Sequence, residues 1–215
     1  MDALSEVLSQ SEIDALLNAL NTGELDVKGI KDKKEEKKVK NYDFKIPNKF
    51  AKDQLRTLQM IHENFSRLLQ TYLSGFLRAL VQIEVESVDQ LTYYEFSNSM
   101  PNPSTLGIVD FLPLNGSILI EISPSISFSM IERVLGGAGD AYERNRGFTE
   151  IELTLIEKVF YQFLEYLKDP WKNVIDIKPK LAKIETNTQF AQIVSPNETI
   201  ALITLSLNIG NIEGT

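Results

Sequence analysis

The sequence predicts an α/β or α+β domain in which long helices cover an extended, largely antiparallel sheet. Two stretches of apolar residues recur at three- and four-residue spacing, and each is followed by runs in which apolar and polar residues alternate. The order is helix then strands, twice over, which reads as a weak internal repeat whose halves share a sheet. Asn115-Gly116 stands between two strand-like runs, and both residues tolerate positive φ, so a hairpin is expected there.

The elements follow in order. In residues 1–20, Ile13, Leu16, Leu17 and Leu20 fall at i, i+3, i+4 and i+7, a short amphipathic helix. Ser11 with Asp14 can cap it, and Glu12 and Asp14 favour its N-terminal dipole. Residues 21–40, NTGELDVKGIKDKKEEKKVK, contain no aromatic side chain and a dense run of charge. Such a stretch buries too little apolar surface to offset chain entropy, which predicts a disordered linker. Its lysines, Lys31, Lys33, Lys34, Lys37, Lys38 and Lys40, alternate with Asp32, Glu35 and Glu36, as in a solvated spacer. Residues 41–215 read as the globular domain.

Within that domain, Leu58, Ile61, Phe65, Leu68, Leu69, Tyr72 and Phe76 share one face of a first long helix. VQIEVES (81–87) alternates as a half-buried strand, and QLTYYEFSN (90–98) predicts a second. Pro101 and Pro103 interrupt the chain. LGIVDFLPL (106–114) and GSILIEIS (116–123) flank the hairpin turn, and PSISFSMIERVL (124–135) predicts a short helix with Ile126, Met130, Ile131 and Val134 inward. The second cycle opens on Thr149 and Glu152, a capping box, with Ile156, Val159, Phe160, Phe163 and Leu167 as the apolar stripe. Strands are then expected at NVIDIKP (173–179), KLAKIETN (180–187), FAQIVSP (190–196) and TIALITLSLNIG (199–210). One more is expected where the sequence stops at NIEGT, so the natural protein is expected to be longer.

Composition removes several function classes. A net charge of -8 and a pI near 4.8 argue against a general nucleic-acid binder. The chain has no cysteine, which excludes disulfides, zinc fingers and thiol nucleophiles, and its single histidine leaves little for a metal site. No cofactor, metal or catalytic residue is assigned. No apolar run approaches the ~20 residues that span a bilayer. The acidic N-terminus lacks the early lysine of a signal peptide, so a cytoplasmic location is expected.

Two stretches carry the functional expectations. A helix as short as 9–20 is marginal in water and gains order by laying its leucine face into a partner's groove. It could instead dock on its own domain or remain a loose terminus. The linker favours an external partner, because twenty flexible residues reach roughly 25 Å. GGAGD (136–140) lacks the Lys-Ser/Thr of a phosphate loop and follows a helix instead of preceding one. Gly136 directly after Leu135 suits a helix C-cap. One glycine suffices for that, so three suggest either a plain turn or an exposed loop whose bare backbone meets something. His62 reads as an edge-of-core residue, and Trp171 as a core filler ending the second long helix.

Taken together, LSQSEIDALLNAL (8–20), YDFKIPNKF (42–50), LGGAGD (135–140), FTEIELTLIEKV (148–159), DPW (169–171), SPNETI (195–200) and NIG (208–210) resemble the FliM family of flagellar motor switch proteins. The order and spacing match over nearly the whole chain. The resemblance implies a CheC-like middle domain, a pseudo-two-fold α/β sandwich, and a non-enzymatic role in the cytoplasmic switch ring (C ring) at the flagellar basal body, on the inner face of the cell membrane. It implies that residues 1–20 bind phosphorylated CheY through Ser9, Gln10, Glu12, Ile13, Asp14, Leu16, Leu17 and Asn18. Ile13, Leu16 and Leu17 would be the buried anchors and Asn18 a polar contact. It implies contact with FliG through Gly136, Gly137, Ala138 and Gly139, and with neighbouring copies in a ring. FliN binding belongs to a C-terminal domain that this sequence lacks.

The rival is a CheC-like phosphatase of phosphorylated CheY. That family's pattern is Glu-x-x-Asn on a long helix, with an acidic residue or serine four before the glutamate. Here Asn64 directly follows Glu63, and Phe160 takes the amide position after Glu157. Glu95 and Asn98 match the short pattern, but Leu91 stands four before, in a stretch read as strand and loop. A third reading is a structural scaffold whose N-terminal segment is vestigial; the intact leucine face speaks against it.

Overall fold

The computed structural model describes residues 49–139 and 146–215. The expected N-terminal helix and linker lie outside the described residues, as do 41–48 and Asp140. Helix α1 (Lys52–Leu77) begins where the Gln54 side chain accepts the Ala51 N–H at 2.9 Å and Asp53 occupies the first turn. It ends at Arg78, whose φ of 51° is left-handed and turns the chain into β1 (Val81–Thr92). Its buried stripe is Ile61, Phe65, Leu69, Leu73 and Leu77. That face is rotated slightly from the expected one, so Phe76 lies 41% exposed.

The chain continues through α2 (Tyr93–Ser99), β2 (Thr105–Leu112), β3 (Ser117–Ile122) and α3 (Pro124–Val134). The second cycle is α4 (Glu150–Trp171), β4 (Lys178–Glu185), a 3-10 turn at Thr188–Phe190, β5 (Thr199–Ile209) and β6 (Ile212–Gly214). Each half therefore runs helix, strand, short helical piece, strand, hairpin strand.

The strands form two three-stranded antiparallel sheets, in the orders β1-β5-β6 and β3-β2-β4. Each half keeps its own hairpin, β2–β3 or β5–β6, and gives its first strand to the other half. Val81 pairs with Ile209 at one end of β1 and Thr92 with Thr199 at the other, while β4 runs from Lys178 opposite Leu112 to Glu185 opposite Leu106. Both exchanged strands carry one extra residue, Glu86 in β1 and Ala182 in β4, where the register slips. The helices and antiparallel sheets agree with the expected fold class, and the shared sheet takes the form of two sheets that each draw on both halves.

The helices cover the inner sheet faces. Leu69 and Leu73 of α1, Ile126 and Met130 of α3, and Ile156 and Phe160 of α4 pack over Val81, Val109, Leu181 and Ile209. Tyr72 of α1 meets Tyr166 of α4 at 5.0 Å between ring centroids. Trp171 closes the margin of the core, its ring edge-on to Phe111 at 5.2 Å. Gly107 in β2 is a close-approach site, since a Cβ there would stand 2.6 Å from the fully buried Phe160 ring. The outer face of β2 carries Leu106 and Ile108, covered by Met100, Ala191 and Ile193.

Several elements differ from the expectation. QLTYYEFSN is the end of β1 followed by α2. Its aromatic content reads as strand, but Thr92 accepts the Glu95 N–H at 3.2 Å while the Glu95 carboxylate accepts the Thr92 N–H at 2.9 Å. Tyr93 and Phe96 then bury on one side of the helix. NVIDIKP is mostly a turn, because the N–H groups of Val174 and Ile175 both bond back to the Trp171 carbonyl at 2.8 Å. Strand β4 starts only at Lys178. Among the described residues FAQIVSP pairs with no strand and instead lays Ala191 and Ile193 on the outer face of β2. The strand expected at the end is β6, paired with β5.

Gly107→Ala should lower the unfolding free energy by about 1–3 kcal/mol through overpacking against Phe160. Gly75→Ala, in an open position on α1, should raise it by about 0.5–1 kcal/mol. Urea unfolding followed by circular dichroism checks both.

Candidate functional site

Helix α3 begins at Ser123 with Pro124 in its first turn and buries Ile126, Ser127, Phe128, Ser129, Met130 and Ile131, leaving little of its surface free. Its end presents the glycine loop. The Leu135 N–H bonds to the Ile131 carbonyl at 3.0 Å, that of Gly136 to Arg133 at 3.0 Å, and that of Gly137 to Glu132 at 2.8 Å. These bonds, with Gly136 at a φ of 92°, form a Schellman cap, so the C-cap reading of Gly136 holds.

The other two glycines also have reasons inside the chain. A Cβ on Gly137 would meet Glu132 Cγ at 2.5 Å and the Glu132 carbonyl at 3.2 Å. Gly139 has a φ of 79°, and a Cβ there would stand 2.4 Å from Arg133 Nε. Its carbonyl accepts the buried Ser129 hydroxyl at 3.1 Å. The glycine content is therefore set by the turn itself. Its exposed surface is fixed backbone at Gly136, Gly137 and Ala138, beside Leu135, which is 67% exposed.

Neighbouring turns extend this surface. Gly210, at the β5–β6 turn, has a φ of 62° and donates its N–H to the Leu80 carbonyl at 2.9 Å. Leu80 is 74% exposed. Arg133 Nη2 lies 3.1 Å from where a Cβ on Gly210 would be. Arg146 grips Glu152 with two bonds, Nη1 to Oε2 at 2.8 Å and Nη2 to Oε1 at 2.6 Å. Glu152 also accepts the Thr149 N–H at 2.8 Å, completing the expected capping box. The Arg146 guanidinium stands 5.0 Å from the centroid of Phe128, which stacks on Phe148. The Arg146 guanidinium and the Thr149 cap hold the Glu152 carboxyl down at about 2, against the opposing effect of burial.

The other sequence candidates fall elsewhere. His62 donates from Nδ1 to the Leu58 carbonyl at 2.8 Å, and burial pushes its imidazole below the ordinary range, in keeping with an edge-of-core role. Glu95 and Asn98 lie on α2, so their placement in strand and loop is corrected. The Glu95 carboxylate is occupied as the cap of Thr92, while Asn98 lines a shallow cleft of about 300 Å³ with Tyr93, Tyr94 and Gln192. Glu157 accepts a bond from Tyr161 at 3.1 Å. The described residues contain no cluster of metal-ligating side chains and no helix long and apolar enough to cross a membrane.

A family model described as flagellar motor switch protein FliM matches residues 51–215. The chain belongs to the FliM family. It is 47% identical over 209 residues to the Bacillus subtilis FliM, covering 97% of this chain and 63% of that protein. The Treponema pallidum FliM is 46% identical over 98% of this chain and 61% of its own length. The chain thus spans about three fifths of these relatives. Among solved structures, a FliM from H. pylori crystallised in complex with FliG superposes with a TM-score of 0.75 at 38% identity, over 77% of this chain and 91% of that one. Thermotoga maritima FliY shares the fold, with a TM-score of 0.66 at 16% identity over 75% of this chain and 86% of that one. The names of the FliM relatives describe a motor switch component, in line with the expectation that the chain is not an enzyme.

Sequence reasoning found the glycine loop and the Thr149–Glu152 cap. It missed Arg146, six residues before Glu152, and it missed Arg133, which lies between Gly139 and Gly210, and Leu80, whose carbonyl meets the Gly210 N–H, both placed only through the fold. Because the folded Glu152 carboxyl lies well below its unfolded value, its stabilisation is full above about pH 5 and is lost as the pH falls toward 2. Glu152→Gln should lower stability at pH 7 by about 1–3 kcal/mol and flatten the acid limb of the profile, measured by urea unfolding between pH 2 and 7.

Proposed function

We propose that this chain is the signal-receiving and rotor-contacting part of a flagellar switch ring, a binding and assembly protein. Residues 136–139 contact FliG, and residues 1–20 capture phosphorylated CheY through Ser9, Gln10, Glu12, Ile13, Asp14, Leu16, Leu17 and Asn18. Copies stand side by side in the C ring at the cytoplasmic face of the basal body. FliN is bound through a domain outside this sequence.

The observation that carries the FliG half is the end of α3: exposed, capped backbone beside the exposed Leu135, on a chain similar to a FliM crystallised with FliG. A surface already held in one conformation loses little entropy on binding. The CheY half rests on the leucine face of residues 9–20 and the charged stretch that follows. A first weak contact on a tether raises the effective concentration for a second contact. Rotation is biased only if CheY binds one arrangement of the ring more tightly than the other.

Leu135→Asp or Ala138→Arg should weaken binding to purified FliG by about tenfold or more while leaving the circular dichroism and melting temperature unchanged. These positions test the surface more cleanly than Gly137, whose substitution would strike Glu132. For the other half, a labelled peptide of residues 1–20 should bind CheY more tightly in the presence of a phosphoryl mimic. Leu16→Ala with Leu17→Ala should abolish that binding. A peptide that ignores CheY in both states would sink the chemotaxis half and leave a FliG-contacting scaffold.

A further inference from the structure

Arg133 sits in the last turn of α3, and its side chain runs between two turns far apart in sequence. Its Cγ, Cδ and Nε lie 2.8, 3.0 and 2.4 Å from where a Cβ on Gly139 would be, and its Nη2 is 3.1 Å from the same point on Gly210. Both glycines have positive φ. The guanidinium is thus slotted between the glycine loop and the β5–β6 turn, where only bare backbone leaves room for it.

Its hydrogen bonding is incomplete. Nε is buried with no partner, and among the described residues Arg133 forms no ion pair and no side-chain hydrogen bond. A guanidinium carries five donors and cannot shed its charge. A guanidinium left half-buried with no partner among the described residues is an unfavourable arrangement. The group stands under the one surface already assigned to a partner, beside the exposed Leu135 and Leu80.

We propose that Arg133 is the charge-reading element of this surface, its terminal nitrogens taking a carboxylate from the bound protein. The inference rests on the FliG reading above and names the chemistry that FliG must supply. The bare alternative is that Arg133 serves only as a cation at the C-terminus of α3. Arg133→Lys separates the two, because it keeps that charge but loses the planar fork.

The test is calorimetric titration of the full chain with purified FliG, at low and high salt, for the unmodified chain, Arg133→Gln and Arg133→Lys, with melting curves of each. Arg133→Gln should weaken binding by about 30-fold or more, and Arg133→Lys by about fivefold, with melting temperatures close to the original. Added salt should weaken the unmodified chain more than Arg133→Gln. If Arg133→Gln fails to fold, Arg133→Lys decides. Folded variants that bind as tightly as the unmodified chain would overturn the role of Arg133 while leaving the FliG reading intact. An unmodified chain that does not bind FliG would overturn both.

Discussion

The exchange of first strands between the two halves is the constraint on which the domain depends. Among the described residues β1 has no partner in its own half and pairs only with β5, and β4 pairs only with β2. Neither half can satisfy its backbone hydrogen bonds or cover its inner sheet face alone, because an unpaired strand exposes donors and acceptors that must be met. The two long helices meet over this crossed arrangement at Tyr72 and Tyr166, and the core is continuous across the halves. Most of the pairing is long-range, so loop-closure entropy must be overcome before the sheets reward it.

That crossing also places the glycine loop. Helix α3 is buried along most of its length, and the chain beyond β6 is held to its start where the Ser123 N–H bonds to the Thr215 carbonyl at 2.8 Å. A helix seated so firmly delivers its C-terminal cap to a fixed place. The cap is then joined there by turns from both halves, the end of α1 with Leu80 and the β5–β6 turn with Gly210. Arg146 locks to the first turn of α4. A rigid element presenting a small exposed patch is a form suited to protein recognition.

The same geometry explains why the motifs that suggest chemistry do not assemble. Glu95 is held by Thr92, Glu157 by Tyr161, and His62 by the Leu58 carbonyl. Each polar side chain is satisfied locally by its own helix, and none is aimed with a second group at a common point where a substrate atom could sit.

By itself the sequence determined the two helix-then-strand cycles, the hairpin at Asn115-Gly116, the cap at Thr149 and Glu152, the apolar stripe of α4, and the glycine cap after α3. All of these are local signals, written in side-chain period or in residues that favour one backbone conformation. The tertiary structure decided which strands pair, since pairing between β1 and β5 depends on contacts more than a hundred residues apart. It decided that QLTYYEFSN turns from strand to helix, where a cap and the burial of Tyr93 and Phe96 outweigh aromatic strand preference. It also decided what the glycines are for. From the sequence, three glycines suggested either a plain turn or a loop whose bare backbone meets something, whereas in the fold Gly137 makes room for Glu132 and Gly139 for Arg133. Steric necessity between residues brought together by folding leaves no periodic trace in the chain, so Arg133 and Leu80 could be found only in three dimensions.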